Sequence, residues 1–120
     1  MDDEDYIRDI ACEMLTMMGY GAEGFSCGED LVRRYRDTVR EGKTPSAVIL
    51  DLTIRGGMGG QEAAKIILEL DPAARLIVAS GYSNNPVMAN FRESGFAAAL
   101  MKPFRLEDVG TTLQKVLEDR

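Results

Sequence analysis

Three short apolar runs, each closed by one polar side chain, restrict what this chain can fold into. Ala47-Val48-Ile49-Leu50 ends at Asp51, Leu76-Ile77-Val78-Ala79 ends at Ser80, and Ala97-Ala98-Ala99-Leu100-Met101 ends at Lys102-Pro103. Unbroken runs this short are the mark of strands buried on both faces of a parallel sheet. The segments between them carry a helical period instead. Ile7, Ile10, Ala11, Met14, Leu15 and Met18 line one face of residues 5–18, which Gly19 ends. Gly28 to Arg40 turns Leu31, Val32, Tyr35 and Val39 inward. A third helix runs through Ala63, Ala64, Ile66, Ile67 and Leu70 and stops at Asp71-Pro72. Pro86 to Ser94 predicts a short helix with Asn85 as N-cap and Pro86 at the first helical position. Leu106 to Glu118 predicts the last helix, with Leu106, Val109, Leu113, Val116 and Leu117 inward. Tyr20 to Ser26 reads as a weak strand, because its glycines and alanine lower β-propensity.

Strands separated by helices require right-handed crossovers, hence a parallel sheet with helices on both faces. The fold class is therefore α/β and doubly wound; the expected arrangement of this kind is the flavodoxin-like (βα)5 three-layer sandwich, whose sheet order is 2-1-3-4-5. The 120 residues read as one domain, 1–120. The pattern opens on a helix, yet Asp2-Asp3 sits where a strand should exit. A full fold of this kind has about five apolar residues ahead of Met1. The first strand, central in that order, is read as largely missing, with a boundary inside it or a start at an internal Met as explanations. Its loss would expose core surface and favour strand exchange or a homodimer.

Composition narrows the chemistry. The chain is 45% apolar and 28% charged, as in soluble globular domains, and its net charge is −6. An acidic domain lacks the basic face that nucleic acid requires. With no histidine, Ser-His-Asp triads, His-ligated metals and a phosphohistidine of its own are excluded. Cys12 and Cys27 form neither a CxxC pair nor a zinc pattern and read as reduced cytosolic thiols. No run reaches the length of a membrane span and the N-terminus is acidic, so no membrane contact and a cytoplasmic location are expected. The run Gly56-Gly57-Met58-Gly59-Gly60 lacks both the GxxxxGK[ST] and GxGxxG patterns and is read as a mobile loop rather than a nucleotide cradle.

In a doubly wound sheet the ligand site lies beyond the carboxyl ends of the strands. Asp2, Asp3, Asp51, Ser80 and Lys102 all fall at such ends. Taken singly, each is a weak signal, since an Asp after an apolar run is more often a cap and a Lys-Pro more often a surface loop. Together, in this order, they can hold Mg²⁺, a hard cation that takes carboxylate and carbonyl oxygens and keeps some waters. Asp51 can then act as a carboxylate nucleophile toward a phosphoryl donor, forming an acyl phosphate. Lys102 would offset charge on the transferring group, and the Ser80 hydroxyl would donate to a phosphoryl oxygen.

The blocks Met1-Asp2-Asp3-Glu4, Ile49-Leu50-Asp51-Leu52-Thr53, Val78-Ala79-Ser80-Gly81-Tyr82 and Met101-Lys102-Pro103-Phe104 resemble the four signatures of response-regulator receiver (CheY-like) domains. The resemblance spans the chain apart from the first strand. It implies an acidic metal pair at Asp2 and Asp3, phosphorylation of Asp51, and a Thr53 backbone carbonyl as a further Mg²⁺ ligand. It also implies a switch hydroxyl at Ser80, a phosphate-binding lysine at Lys102 and a cis Lys102-Pro103 bond. The expected function is two-component phosphorelay: uptake of a phosphoryl group from a phosphohistidine on a histidine kinase or phosphotransfer domain. The face of the fourth helix, last strand and last helix would then signal to an output protein or neighbouring domain. Leu52 to Gly60 and Ala79 to Phe91 are similar to receivers fused to the C-terminus of hybrid sensor histidine kinases. The module itself is expected to be a phosphoacceptor rather than an enzyme.

The chain departs from that family in its loop after Asp51, where Arg55 replaces a common proline and the loop is one residue longer. It departs again at Ala99, where the family usually places a switching aromatic. Two other readings compete. A haloacid-dehalogenase-like phosphatase would use the same Asp, hydroxyl and Lys, but wants a second Asp two residues after the nucleophile, where Thr53 stands. A non-phosphorylated interaction module would not need Asp51, Ser80 and Lys102 intact.

Overall fold

The computed structural model describes residues 1–52, 54, 57–81 and 85–118. Its elements are α1 (Asp5–Met17), α2 (Gly28–Glu41), β1 (Val48–Asp51), α3 (Gly60–Leu70), β2 (Leu76–Ser80), α4 (Pro86–Ala89), β3 (Ala98–Met101) and α5 (Leu106–Glu118), with a turn of 3-10 helix at Phe91–Ser94. The three strands form a parallel sheet in the order β1-β2-β3, with Val48 opposite Leu76 and Ile77 opposite Ala98. These are the three strands expected from the apolar runs, in the expected sequence of neighbours.

Alternate residues of β2 face opposite ways, as a strand requires. Leu76 and Val78 enter one core with Leu31 and Tyr35 of α2 and Ala64 and Ile67 of α3. Ile77 and Ala79 enter a second core with Val109, Leu113 and Val116 of α5, flanked by Met14 and Leu15 of α1. Helices therefore cover both faces of the sheet, and the three-layer, flavodoxin-like architecture follows. Every residue of β2 is buried, which explains why its sequence shows no polar alternation. Asn85 caps α4 by accepting the Val87 N–H at 3.0 Å, and Pro86 opens the helix. The single helix expected from Pro86 to Ser94 is instead α4 plus the 3-10 turn, because Asn90 leaves helical geometry (φ −118°, ψ 44°).

The strand expected over Tyr20 to Ser26 does not form: those residues carry no strand assignment. Gly21, Ala22 and Gly24 are exposed and offer no side chain to pack. The sheet order is nonetheless that of the expectation. The Met1 amino group donates to the Ile49 carbonyl at 2.6 Å, and the Asp51 N–H donates to the Met1 carbonyl at 2.9 Å. On the other side the Asp2 N–H donates to the Phe25 carbonyl at 3.0 Å. Met1 and Asp2 thus lie between the Tyr20–Ser26 segment and β1, the place assigned to the first strand. Alongside them is a cleft of about 660 Å³, walled by residues including Ile7, Leu15, Phe25, Val48 and Ile49. α1 has no fully buried residue. Burial pushes the Met1 amino group down to about 6. Among the described residues, no helix is long and apolar enough to cross a membrane.

Tyr35, only 2% exposed, ties α2 to the end of α3 by donating to Asp71 Oδ2 at 2.7 Å. Burial, and then the Asp71 carboxylate, raise the phenol far above its ordinary value. In the unfolded chain it ionises near ~10. Its contribution is therefore complete below that pH and is lost as the pH rises further. Tyr35→Phe is expected to cost about 1 kcal/mol at neutral pH and to flatten the alkaline decline in stability. Denaturant midpoints at neutral pH and above ~10 test this; equal alkaline slopes in the two proteins would refute it.

Candidate functional site

The parallel register brings the carboxyl ends of the strands to one edge, with Asp51 beside Ala79 and Ser80 beside Met101. Asp51 closes β1 and is 5% exposed; Ser80 closes β2 and is 2% exposed. Lys102 follows β3 directly, and its N–H donates to the Ser80 carbonyl at 2.9 Å. The Lys102-Pro103 bond is cis, as the resemblance implied. Asp2 is carried to the same edge by the hydrogen bonds that set Met1 beside β1 and Asp2 beside Phe25.

Carboxylate oxygens of Asp2, Asp3 and Asp51 lie within 4.8 Å of one another. Lys102 Nζ sits among them, 2.6 Å from Asp2 Oδ2 and 2.9 Å from Asp51 Oδ1. Burial works against its charge. The hydrogen bonds it donates to Asp2 and Asp51 outweigh that, and the ammonium is held above its ordinary pKa. The other Asp2 oxygen, Oδ1, accepts the Glu4 N–H at 2.9 Å. The structure thus brings together Asp2, Asp3, Asp51 and Lys102, with Ser80 buried on the neighbouring strand. Thr53 lies outside the described residues.

Space is tight where the chain after Asp51 reaches α3, and glycine is required at Gly60. A Cβ on Gly60 would stand 2.3 Å from the Asp51 carbonyl oxygen, and one on Gly59 would stand 3.2 Å from that of Leu52. The loop closes on the backbone of its own first residues. Two supporting residues carried no signal in the sequence. Arg8 Nη1 donates to the Asp2 carbonyl at 2.8 Å, and Glu29 Oε1 accepts the Met58 N–H at 3.0 Å. Each reads in sequence as a solvated charge on a helix, since its partner is set only by the tertiary fold.

The donor set suits Mg²⁺. It offers hard carboxylate oxygens, close enough to share one ion and few enough to leave room for water. A cationic group, the Lys102 ammonium, already bridges two of those carboxylates.

This fold and this edge define a class: doubly wound α/β proteins with an acidic, lysine-bearing pocket beyond the strand ends. The chain belongs to the response regulator receiver domain family, whose profile matches residues 1–114. Among curated proteins it is 28% identical to the chemotaxis protein CheY of Thermotoga maritima, over 97% of this chain and 92% of that one. It is 27% identical to sporulation initiation phosphotransferase F of Bacillus subtilis, over 98% and 90%. Among solved structures, the receiver domain of NtrX from Brucella abortus superposes with a TM-score of 0.88 at 22% identity, covering 99% of this chain and 96% of that one. The receiver domain of a sensor histidine kinase from Pseudomonas aeruginosa gives 0.85 at 18% identity, covering 99% and 94%. That structure has a magnesium ion coordinated in its active site cleft. The protein is a receiver domain of two-component signalling, a family of phosphoacceptors rather than catalytic enzymes.

Proposed function

We propose that this receiver takes a phosphoryl group onto Asp51 from a phosphohistidine on a histidine kinase or phosphotransfer domain. The observation that carries this reading is the buried Asp51 carboxylate at the end of β1, grouped with Asp2 and Asp3 and touched by Lys102 Nζ at 2.9 Å. A carboxylate oxygen of Asp51 attacks phosphorus, the bond to the donor nitrogen breaks, and an acyl phosphate remains. Asp2, Asp3 and Asp51, with the Thr53 carbonyl, are the residues that would hold Mg²⁺. Bound there, the ion supplies charge neutralisation at the transferring group. Lys102 exchanges its contact with Asp51 for one with the phosphoryl oxygens, and the Ser80 hydroxyl donates to another of them.

The response is read on the face of α4, β3 and α5. Met101 and Leu106 expose apolar side chains there, at 44% and 42%. Ala99 is partly buried against the core that holds Phe96 and Met88, and being alanine it offers no ring to report the switch by turning inward. The domain works in the cytoplasm, in contact with a kinase or an output partner; similarity to kinase-fused receivers makes a kinase neighbour the favoured setting.

The direct test is intact mass after incubation with Mg²⁺ and a small-molecule acyl phosphate. One added phosphoryl group, lost on Mg²⁺ chelation before donor addition, is the expected result. A folded chain that gains no mass would sink the reading and leave an interaction module that keeps only the fold.

A further inference from the structure

Leu52 to Gly59 follow the candidate phosphoacceptor in the chain, and their sequence is rich in glycine, which lowers the cost of alternative backbone conformations. Their far end is anchored at Asp51 and Leu52 by the close approach of Gly60 and Gly59. A second anchor lies at the start of α2, on a different element. The Gly28 N–H donates to the Met58 carbonyl at 3.1 Å, and the Met58 N–H donates to Glu29 Oε1 at 3.0 Å. Both polar backbone groups of Met58 are thus engaged by two consecutive residues of one helix. Contact there is tight: a Cβ on Gly28 would lie 2.7 Å from the Met58 carbonyl oxygen and 2.9 Å from its Cγ. Glu29 is suited to the task, because a carboxylate in the first turn is favoured by the helix dipole and is a strong acceptor.

We propose that the first turn of α2 is a clasp on the loop after Asp51, with Glu29 as its positioning residue, and that it sets the Mg²⁺ concentration the site requires. The inference rests on the phosphoacceptor reading for its purpose, though its geometry stands apart from it. Glu29 does not touch the reacting atoms. It holds Met58, five residues along the chain from Thr53, the residue assigned a carbonyl ligand. Releasing Met58 lets the chain between the two sample more conformations, so ion binding must bear the entropy of ordering it.

The test compares the parent with Glu29→Ala, Glu29→Gln and Gly28→Ala in the full chain. Three quantities are read: exchange of the Met58 amide, the Kd for Mg²⁺ without donor, and phosphoryl uptake across Mg²⁺ concentrations. Glu29→Ala is expected to speed Met58 exchange and raise the Mg²⁺ Kd roughly three- to tenfold, the effect of losing one ordinary, solvent-exposed hydrogen bond. Uptake at saturating Mg²⁺ should match the parent. Glu29→Gln keeps an acceptor oxygen and should stay near the parent in both exchange and Kd. Gly28→Ala, which forces Met58 away, should resemble Glu29→Ala. Unchanged exchange or Kd in Glu29→Ala would overturn the inference. So would a Glu29→Gln variant as impaired as Glu29→Ala, which would point to charge alone, and so would a parent that binds no Mg²⁺. A parent that binds Mg²⁺ but takes up no phosphoryl group would refute the phosphoacceptor reading while the clasp is still judged on exchange and Kd.

Discussion

Asp51→Asn is expected to abolish phosphoryl uptake while leaving the protein folded and at least as stable without metal. The first half follows from chemistry. An amide oxygen carries no formal charge and is a poor nucleophile toward phosphorus, so no acyl phosphate forms. The second half follows from the charge balance at the strand ends. Three carboxylates lie within 4.8 Å of one another, and Lys102 makes ion pairs with two of them, Asp2 and Asp51. Asparagine keeps the shape and an oxygen that can accept from Lys102 Nζ, but removes one negative charge from a crowded, buried set. Relief of like-charge repulsion offsets the weaker contact with Lys102. The variant's denaturation midpoint should therefore equal or exceed the parent's in chelator, by up to about 1 kcal/mol. Mg²⁺ should stabilise it less than the parent, since one ligand charge is gone. Intact mass and paired denaturation curves read all three. Residual labelling would place the acceptor elsewhere, and a collapsed midpoint would mean that loss of uptake reflects unfolding.

What could be read from the sequence, and what could not, divides along a physical line. The strands beginning near Val48, Leu76 and Ala98 announced themselves because burial on both faces demands unbroken apolar runs, and the polar residue closing each run marked the sheet edge. Asn85 and Pro86 were legible because capping is local chemistry. Tyr20 to Ser26 was misread because a strand exists only with a partner. Among the described residues, this segment's pairing with the neighbouring chain is the bond from the Asp2 N–H to the Phe25 carbonyl. Phe96, 2% exposed, escaped notice because it sits outside any periodic segment. The Tyr35 bond to Asp71 and the Glu29 bond to Met58 join residues far apart in the chain, and no spacing rule points to such pairs. The candidate site was legible as a set of residue types at strand ends. Its supports, Arg8 and Glu29, were not.

Lys102→Ala is expected to be the most destabilising of these substitutions without metal, and Mg²⁺ should recover much of the loss. Lys102 Nζ contacts Asp2 Oδ2 and Asp51 Oδ1 together, and its side chain is only 12% exposed. Removing it deprives the Asp2 and Asp51 carboxylates of the ammonium that bridges them. Breaking a buried pair in this way costs about 3–5 kcal/mol, and the partial exposure here lowers that to roughly 2–3. The raised pKa of Lys102 carries the same statement. Its stabilising contribution is complete below the unfolded lysine pKa and fades only as the pH climbs beyond it, so the parent should show no such loss near neutrality. Mg²⁺ would enter among the same oxygens. In the parent it must displace the ammonium from Asp2 and Asp51; in the variant it meets no competitor. The variant should accordingly bind Mg²⁺ at least as tightly as the parent, and gain more stability from it. It should nevertheless fail to couple phosphoryl occupancy to the face of α4, β3 and α5, because no cation remains to follow the phosphoryl oxygens. Denaturation with and without Mg²⁺, beside partner-face spectra in the presence of a phosphoryl mimic, separates these effects. Equal Mg²⁺ stabilisation of parent and variant would show that lysine and metal do not share these carboxylates. An unchanged response to the mimic would remove Lys102 from the switch.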